Sequence, residues 1–297
     1  MRIGVIGATS FIGRCLIPLL TAEAGWEVTA FSRRAQDLQY FRETNPVDWQ
    51  LLQKVEPSQT REVHPPEKQI SHWVCLAPIW GLPEYLPMLS IYGVKHVVAI
   101  SSTSRFTKCF SSDTTEQALA KRLADGEEHL IAWAKTKEVT WTILRPTMIY
   151  GLGSDKNISV IARFIRHFAF FPFPGTAMGL RQPVHVNDVA LSCLAALNIC
   201  ETTNRSYNLS GGETLPYREM IGRIFSAIGK SPRFVTFPLW TFRMAVKCLR
   251  IIPRFRHLSA AMAERMNQDL IFDHEDAARD LGFSPRPFLL THEDLPE

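Results

Sequence analysis

Met1-Arg-Ile-Gly-Val-Ile-Gly-Ala-Thr-Ser-Phe-Ile-Gly13 opens the chain and decides how the rest is read. A short apolar run, Ile3 to Ile6, leads into Gly7-x-x-Ser10-x-x-Gly13 and then into a helical pattern from Phe11 to Leu20. Strand, glycine turn and helix in that order form the start of a dinucleotide-binding βαβ unit. Gly7 permits a tight turn with positive φ. Gly13 lets the helix pack close to the strand, and free N–H groups at the helix start face a pyrophosphate. Thr9, Ser10, Phe11 and Ile12 then lie against the cofactor. Ser10 stands where many such loops carry a middle glycine, so its Cβ crowds the phosphates or its hydroxyl bonds them. The bland alternative is a bare αβ turn that holds no ligand.

The chain has 297 residues, enough for one large α/β unit and a smaller lobe around a sizeable core. A hydrophobic content of 46% and a charged content of 21% describe an ordinary soluble globular protein. The six cysteines (Cys15, Cys75, Cys109, Cys193, Cys200 and Cys248) show no C-x-x-C and no Cys/His ligand spacing. They read as reduced, mostly buried thiols of a cytoplasmic protein, and no metal site is expected. The apolar N-terminus resembles a signal peptide only superficially, because its glycine turn and Arg14 fit a first strand and helix. No apolar run reaches the ~18 residues of a membrane span. Of the net charge of +4, the basic excess sits between Arg218 and Arg265.

Strands and helices alternate through the first half, the pattern of a parallel sheet covered on both faces. Strands are expected at 2–6, 27–31, 47–51, 70–76, 95–101 and 139–144, and helices at 11–22, 82–92, 115–135 and 158–168. Residues 52–69 lack periodicity and read as an exposed connection. From about Asn187 the pattern changes to a helix over 188–198, a strand at 206–209, a Ser-Gly-Gly turn and a helix over 217–228. The expected architecture is α/β: a Rossmann-type doubly wound sheet over 1–186 and a smaller substrate lobe over 187–297. The lobes interleave, with part of 152–183 joining the cleft.

At the tip of the second strand such folds meet the adenosine ribose, where an acid bonds the 2′-hydroxyl of NAD and Arg accommodates the 2′-phosphate of NADP. The tip here reads Phe31-Ser32-Arg33-Arg34, with no acid before Asp37. Two guanidiniums and a hydroxyl make a phosphate clamp, so NADP is favoured over NAD. A solvated arginine pair is the alternative.

Four further segments carry a resemblance. His96-Val-Val-Ala-Ile-Ser-Ser-Thr-Ser104 resembles the fifth strand and active-site serine segment of the short-chain dehydrogenase/reductase superfamily. Leu144-Arg-Pro-Thr-Met-Ile-Tyr-Gly151 is similar to the sixth-strand exit of its extended branch, the nucleoside-diphosphate-sugar epimerases and dehydratases. Arg181-Gln-Pro-Val-His-Val-Asn-Asp-Val189 and Tyr207-Asn-Leu-Ser-Gly-Gly-Glu resemble later segments of that branch, in the same order. The resemblance implies that Thr103 bonds a substrate oxygen, with Ser101 and Ser102 as near alternatives. Ser101 then lies beside the cofactor and Ser102 beside the substrate. It further implies that Pro146 and its neighbours line the nicotinamide pocket and that Arg181 holds a substrate diphosphate; Ala77 is a further cofactor-binding candidate. Asp188 would cap the helix after it.

One departure is large. The family places Tyr-x-x-x-Lys on one helical face. The lysine holds the ribose and lowers the tyrosine pKa, and the phenol moves the proton. No tyrosine lies between the serine segment and Arg145-Pro146. The best register puts Gln117 at the tyrosine place and Lys121 at the lysine place, where Lys121 grips the ribose or is an ordinary solvated lysine. The chain therefore resembles an atypical member of the extended branch. Tyr150 is a substitute acid from the other side of the pocket or, as the resemblance implies, only a pocket wall; His185 is a further candidate acid or, more simply, a packed strand residue.

Pro238 to Ile252 forms an amphipathic helix with Arg243, Lys247 and Arg250 in one stripe, extended by Arg254. A basic stripe beside a wide apolar face suits a membrane interface or a polyprenyl-linked substrate; a helix packed on the substrate lobe is the plainer reading. The Phe-rich run from Phe164 to Phe173 is a second contact surface or a loop closing the cleft. No motif supports nucleic-acid binding. Two functions compete. One is an NAD(P)-binding oxidoreductase or epimerase-like enzyme for a nucleotide-linked or lipid-linked sugar, as a cytoplasmic, membrane-peripheral protein or homodimer. The other is a catalytically silent dinucleotide-binding sensor or assembly factor.

Overall fold

The computed structural model describes residues 1–33, 47–52, 68–199, 203–242, 244 and 260–296. Arg34, Cys200, Cys248 and the stripe Arg243, Lys247, Arg250 and Arg254 lie outside the described residues, as does most of 52–69.

The first apolar run is a strand, β1 (Arg2–Ile6), with Ile3, Val5 and Ile6 fully buried. Its neighbours are β2 (Glu27–Ser32) and β4 (His72–Cys75), and β3 (Asp48–Leu51) pairs beyond β2. On the other side follow β5 (His96–Ile100), β6 (Thr140–Pro146) and the edge strand β7 (Arg205–Leu209). All six pairings are parallel, in the order β7-β6-β5-β4-β1-β2-β3. A parallel sheet needs helices on both faces, which is why its central strands are continuously apolar. The strand order reverses between β1 and β4, and a crevice opens there at their carboxyl ends.

On one face, α1 (Phe11–Ala22) packs against α6 (Val186–Asn198) through Leu16, Leu20, Val189 and Cys193, all fully buried. On the other lie a 3₁₀ turn (Ile79–Tyr85), α2 (Leu86–Ile91) and the long α4 (Thr114–Lys137), over Trp73, Leu89, Leu130 and Ala134. The single helix expected over 82–92 divides in two, and Pro83 within the 3₁₀ turn supplies no N–H to an α-helical ladder. A one-turn helix, α3 (Ser104–Thr107), links β5 to α4.

The second lobe interleaves with this body. Helix α6 and strand β7, which follow the expected boundary at 186/187, belong to the sheet layer. Three small strand pairs build the lobe: Ile149–Tyr150 with Val184–His185, Leu180–Arg181 with Leu215–Pro216, and Phe171–Pro174 with Phe234–Phe237. Around them pack α5 (Ile158–Phe168), α7 (Tyr217–Ala227) and α8 (Ala260–Met266), over a core that includes Tyr150, Phe173, Ile221, Phe225 and Phe288. The Phe-rich run therefore serves mainly as core, although Phe168 at the end of α5 stays exposed. A last helix, α9 (Glu275–Leu281), covers β7. Among the described residues, no helix is long and apolar enough to cross a membrane, and no His/Cys/Asp/Glu group is set to hold a metal ion.

Candidate functional site

Two adjoining cavities, of about 810 and 610 Å³, run along the carboxyl ends of the strands and share Ser10 and Leu76. The first begins at the glycine turn. Gly7 has φ +81°, and a Cβ there would stand 2.9 Å from the amide nitrogen of Ala77. A Cβ on Gly13 would stand 2.1 Å from the carbonyl oxygen of Ala8. Both glycines are thus required by close backbone approach, and the cradle they leave is bare. Ser10 Oγ accepts the N–H of Gly13 at 3.2 Å and caps α1. The first amides of α1, which have no partner within a helix, face the cavity where Ser10, Phe11 and Ile12 line it.

Thr9, Arg33, Ala77, Trp80 and Arg122 line the first cavity, with the Arg122 guanidinium 4.5 Å from the Trp80 ring centre. Arg33 is exposed at its mouth. Ser32 is buried and does not line it, and its carbonyl oxygen accepts the N–H of Leu52 at 2.7 Å. A bare glycine cradle, helix-start amides and a cation near the second strand fit a dinucleotide in shape and in donor chemistry.

The second cavity holds the serine segment and the sixth-strand exit. Thr103 is buried: its Oγ1 lies 3.3 Å from the carbonyl oxygen of Pro146, which also accepts the Thr103 N–H at 3.2 Å. Ser102 Oγ accepts the N–H of Ser104 at 3.1 Å, and Ser101 Oγ donates to Glu127 at 2.5 Å. All three hydroxyl residues and Pro146 line this cavity. Glu127, 1% exposed, also takes Arg145 and Arg105, so one carboxylate pins α4 to the ends of β5 and β6.

The structure does not bring Gln117 and Lys121 to the cleft, which corrects the expected register. Both face solvent. Gln117 donates to the carbonyl oxygen of Ser111 at 2.8 Å, while Lys121, 75% exposed, is held 3.0 Å from both oxygens of Asp125. The face of α4 turned inward carries Glu116, Ala120, Leu123 and Glu127, one residue earlier at each place. One residue on a helix is a rotation of about 100°. The apolar stripe Ala120, Leu123, Leu130 and Ala134 was the sequence signal that fixes this face.

Tyr150 is likewise corrected. It is fully buried among His185 and Phe288, its hydroxyl 3.5 Å from the carbonyl oxygen of Leu289, and it does not line the cavity. Burial raises its pKa far above the ordinary phenol value, the reverse of what an acid needs. His185 is a packed residue 3.0 Å from Asp294, and its ring, rather than Asp188, caps α6 by accepting the N–H of Asn187 at 3.2 Å. Asp188 instead grips the backbone and guanidinium of Arg286, fastening the C-terminal segment.

Arg181 lines the second cavity but spends its guanidinium on backbone, donating to the carbonyls of Leu180, Gln268 and Arg265. Burial lowers its pKa to about 10. Its neighbours include groups the sequence did not single out: Lys108, Lys156, Tyr217 and Arg265. Lys108 stands 3.9 Å from Glu116, which also pairs with Arg265 and accepts the Ser111 hydroxyl at 2.7 Å. Four cations and one carboxylate, Asp155, line the cavity, so basic side chains are in excess there.

A doubly wound sheet with a glycine cradle, a hydroxyl segment after β5 and a second lobe over the cleft is a Rossmann-like α/β fold whose first cavity fits a dinucleotide in shape. Residues 86–210 match the family model described as NAD dependent epimerase/dehydratase family. The chain is similar to UDP-glucose 4-epimerase of Vibrio cholerae, 22% identical over 162 residues, or 54% of this chain and 47% of that protein. It thus spans about half the length of that relative. It is similar over nearly its whole length to 2-alkyl-3-oxoalkanoate reductase of Stenotrophomonas maltophilia, 22% identical over 96% of this chain and 95% of the relative. The solved structure of UDP-glucuronic acid 4-epimerase from Bacillus cereus in complex with NAD has the same fold: TM-score 0.67, 16% identity, 99% of this chain and 93% of that one. Over residues 86–210 the chain thus matches that family, and over nearly its whole length it shares the fold of the epimerase structure.

Proposed function

We propose that this protein is an NAD(P)-dependent oxidoreductase or epimerase-like enzyme whose substrate is a nucleotide-linked sugar. One observation carries the reading: the cleft that starts at the bare glycine cradle continues into a cavity where Thr103 faces the same space as Lys108, Lys156, Arg181 and Arg265. A dinucleotide in the first cavity would supply the redox chemistry. The hydroxyl segment orients a substrate oxygen, and the cations suit a diphosphate. The UDP-glucose and UDP-glucuronic acid named for similar proteins support that substrate class. Arg33 supports NADP as the cofactor, through a charge-assisted bond to its 2′-phosphate. A polyprenyl-linked sugar is the variant that peripheral membrane contact through 238–256 would serve, and exposed Trp240 and Met244 support it.

The silent-binder reading draws on the solvent-facing Gln117 and Lys121. Incubation with NADPH or NADH and UDP-linked sugars, followed by proton NMR of the sugar ring, separates the two. Appearance of the C4 epimer or of a reduced sugar supports the enzyme. Neither turnover nor UDP-sugar binding by calorimetry, with the dinucleotide still raising the melting temperature, rejects it.

A further inference from the structure

The inward face of α4 carries Glu116 and Ala120 and no phenol, and no residue of α4 lines the second cavity. Among the described residues, the one tyrosine lining the cavity is Tyr217, whose hydroxyl burial pushes up to about 12. We propose that Lys108 is the proton donor to the substrate oxygen in this cavity, with Glu116 and Arg265 as the residues that position it. This rests on the enzyme reading above.

Placement comes first. Thr103 and Lys108 are joined by a tight turn: the carbonyl of Thr103 accepts the N–H of Phe106 at 3.0 Å, and that of Ser104 accepts the N–H of Lys108 at 3.1 Å. Thr103, Ser104, Thr107 and Lys108 all line one cavity. The group that would orient the substrate oxygen and the group that would protonate it are therefore fixed on one short piece of backbone.

Charge comes second. The Lys108 side chain is 22% exposed against 75% for Lys121. At 3.9 Å from Glu116 Oε1, the ammonium is attracted without being held in a hydrogen bond. Glu116 Oε2 is already committed to Arg265 and Ser111. The charged groups facing Lys108 are Glu116 and Asp113, which favour its ammonium form, and Arg265, which opposes it. Burial outweighs them and brings its pKa below the ordinary lysine value. A weaker hold on the proton moves an ammonium toward the working range of a general acid.

The step balances simply. A nicotinamide held in the first cavity would supply or accept the hydride at the substrate carbon, and Lys108 handles only the proton. As the substrate oxygen gains its O–H bond, one Nζ–H bond breaks; the neutral amine then takes a proton from water. In the oxidative direction the amine receives the hydroxyl proton.

The test has two arms. Heteronuclear NMR of the full-length protein, with Lys108 assigned by its loss in Lys108→Arg, should show Lys108 titrating below the other lysines. Its midpoint should fall further in Glu116→Gln, because the carboxylate that favours the ammonium is gone. In turnover, Lys108→Arg keeps the charge but gives up no proton near neutrality. It should lower kcat about 100-fold or more while dinucleotide and UDP affinities by calorimetry stay within about twofold; Tyr217→Phe should retain most of kcat. If the wild type turns over UDP-sugars but Lys108 titrates with the bulk lysines, or Lys108→Arg keeps its rate, this assignment is overturned alone. A wild type that turns over no UDP-linked sugar overturns the enzyme reading and this assignment together.

Discussion

Glu127 Oε2 accepts an Nη2–H of Arg145 at 2.5 Å beneath the cleft, where the glutamate is 1% exposed and the arginine side chain 14%. A second bond, Arg145 Nε to Oε1 at 3.0 Å, makes the contact forked. With Ser101 on the same carboxylate, the pair ties the hydroxyl segment and the sixth-strand exit to α4. A buried charge pair seldom adds much net stability, but breaking one side leaves an uncompensated ion. Glu127→Ala should therefore cost roughly 3–5 kcal/mol in urea unfolding. Glu127→Gln, which keeps an acceptor for Ser101, should cost less. A loss under about 1 kcal/mol for the alanine variant would show that water satisfies Arg145.

Gly13→Ala tests the cradle. Its Cβ would meet the carbonyl oxygen of Ala8 at 2.1 Å, and backbone cannot swing aside as a side chain can. Overpacking of this kind typically costs 1–3 kcal/mol. The displaced turn should also weaken dinucleotide binding, read by calorimetry, while Gly25→Ala, with no atom within 4 Å of its Cβ, should not. Unchanged dinucleotide affinity in Gly13→Ala would place the ligand elsewhere.

Arg33 follows the second strand and lines the first cavity, where its guanidinium can distinguish a 2′-phosphate from a 2′-hydroxyl. A charge-assisted hydrogen bond is worth about 1.5–3 kcal/mol, so Arg33→Ala should weaken NADPH about tenfold or more and leave NADH nearly unchanged. Equal wild-type affinities for the two would end the NADP preference.

His96 gives the stability a pH dependence. Burial, with His72 nearby, pulls its pKa down to about 4, and its Nδ1 sits 2.8 Å from Thr140 Oγ1. The folded protein thus holds His96 neutral while the unfolded chain protonates it near its ordinary value of 6.5. Below that value the unfolded state binds the extra proton, so stability falls as the pH drops from about 6.5 toward 4, by roughly 3 kcal/mol at most from this group. Unfolding free energies measured across that range should decline for the wild type. In His96→Gln the decline should be shallower; an identical slope would assign the acid sensitivity to other groups.

Much of the architecture was legible because it depends on local pattern. Ile3, Val5 and Ile6 before Gly7 make a strand and turn wherever they occur, and the alternation of apolar runs with helical segments implies a parallel sheet. The capping role of Ser10, by contrast, is a hydrogen bond whose direction the sequence left open. The 82–92 helix broke because Pro83 acts against a periodicity that suggested continuity. The site was less legible, since its chemistry depends on which way each side chain faces.

What the sequence determined by itself is the order of the seven sheet strands and the long helices between them, the glycine cradle, and the absence of a tyrosine between Ser101 and Pro146. Those follow from residue type and near-neighbour spacing, which folding does not change. Only the tertiary structure decided that α4 turns Glu116 and Ala120 inward instead of Gln117 and Lys121. The packing of Leu123, Leu130 and Ala134 on the sheet sets that rotation. The tertiary structure also buried Tyr150 against the C-terminal segment and gathered Lys108, Glu116 and Arg265, up to 157 positions apart in the chain, into one charged cluster from which Lys108 and Arg265 line the cavity. Long-range electrostatics of that kind has no local signature, because Coulomb attraction depends on distance in space and not on separation along the chain.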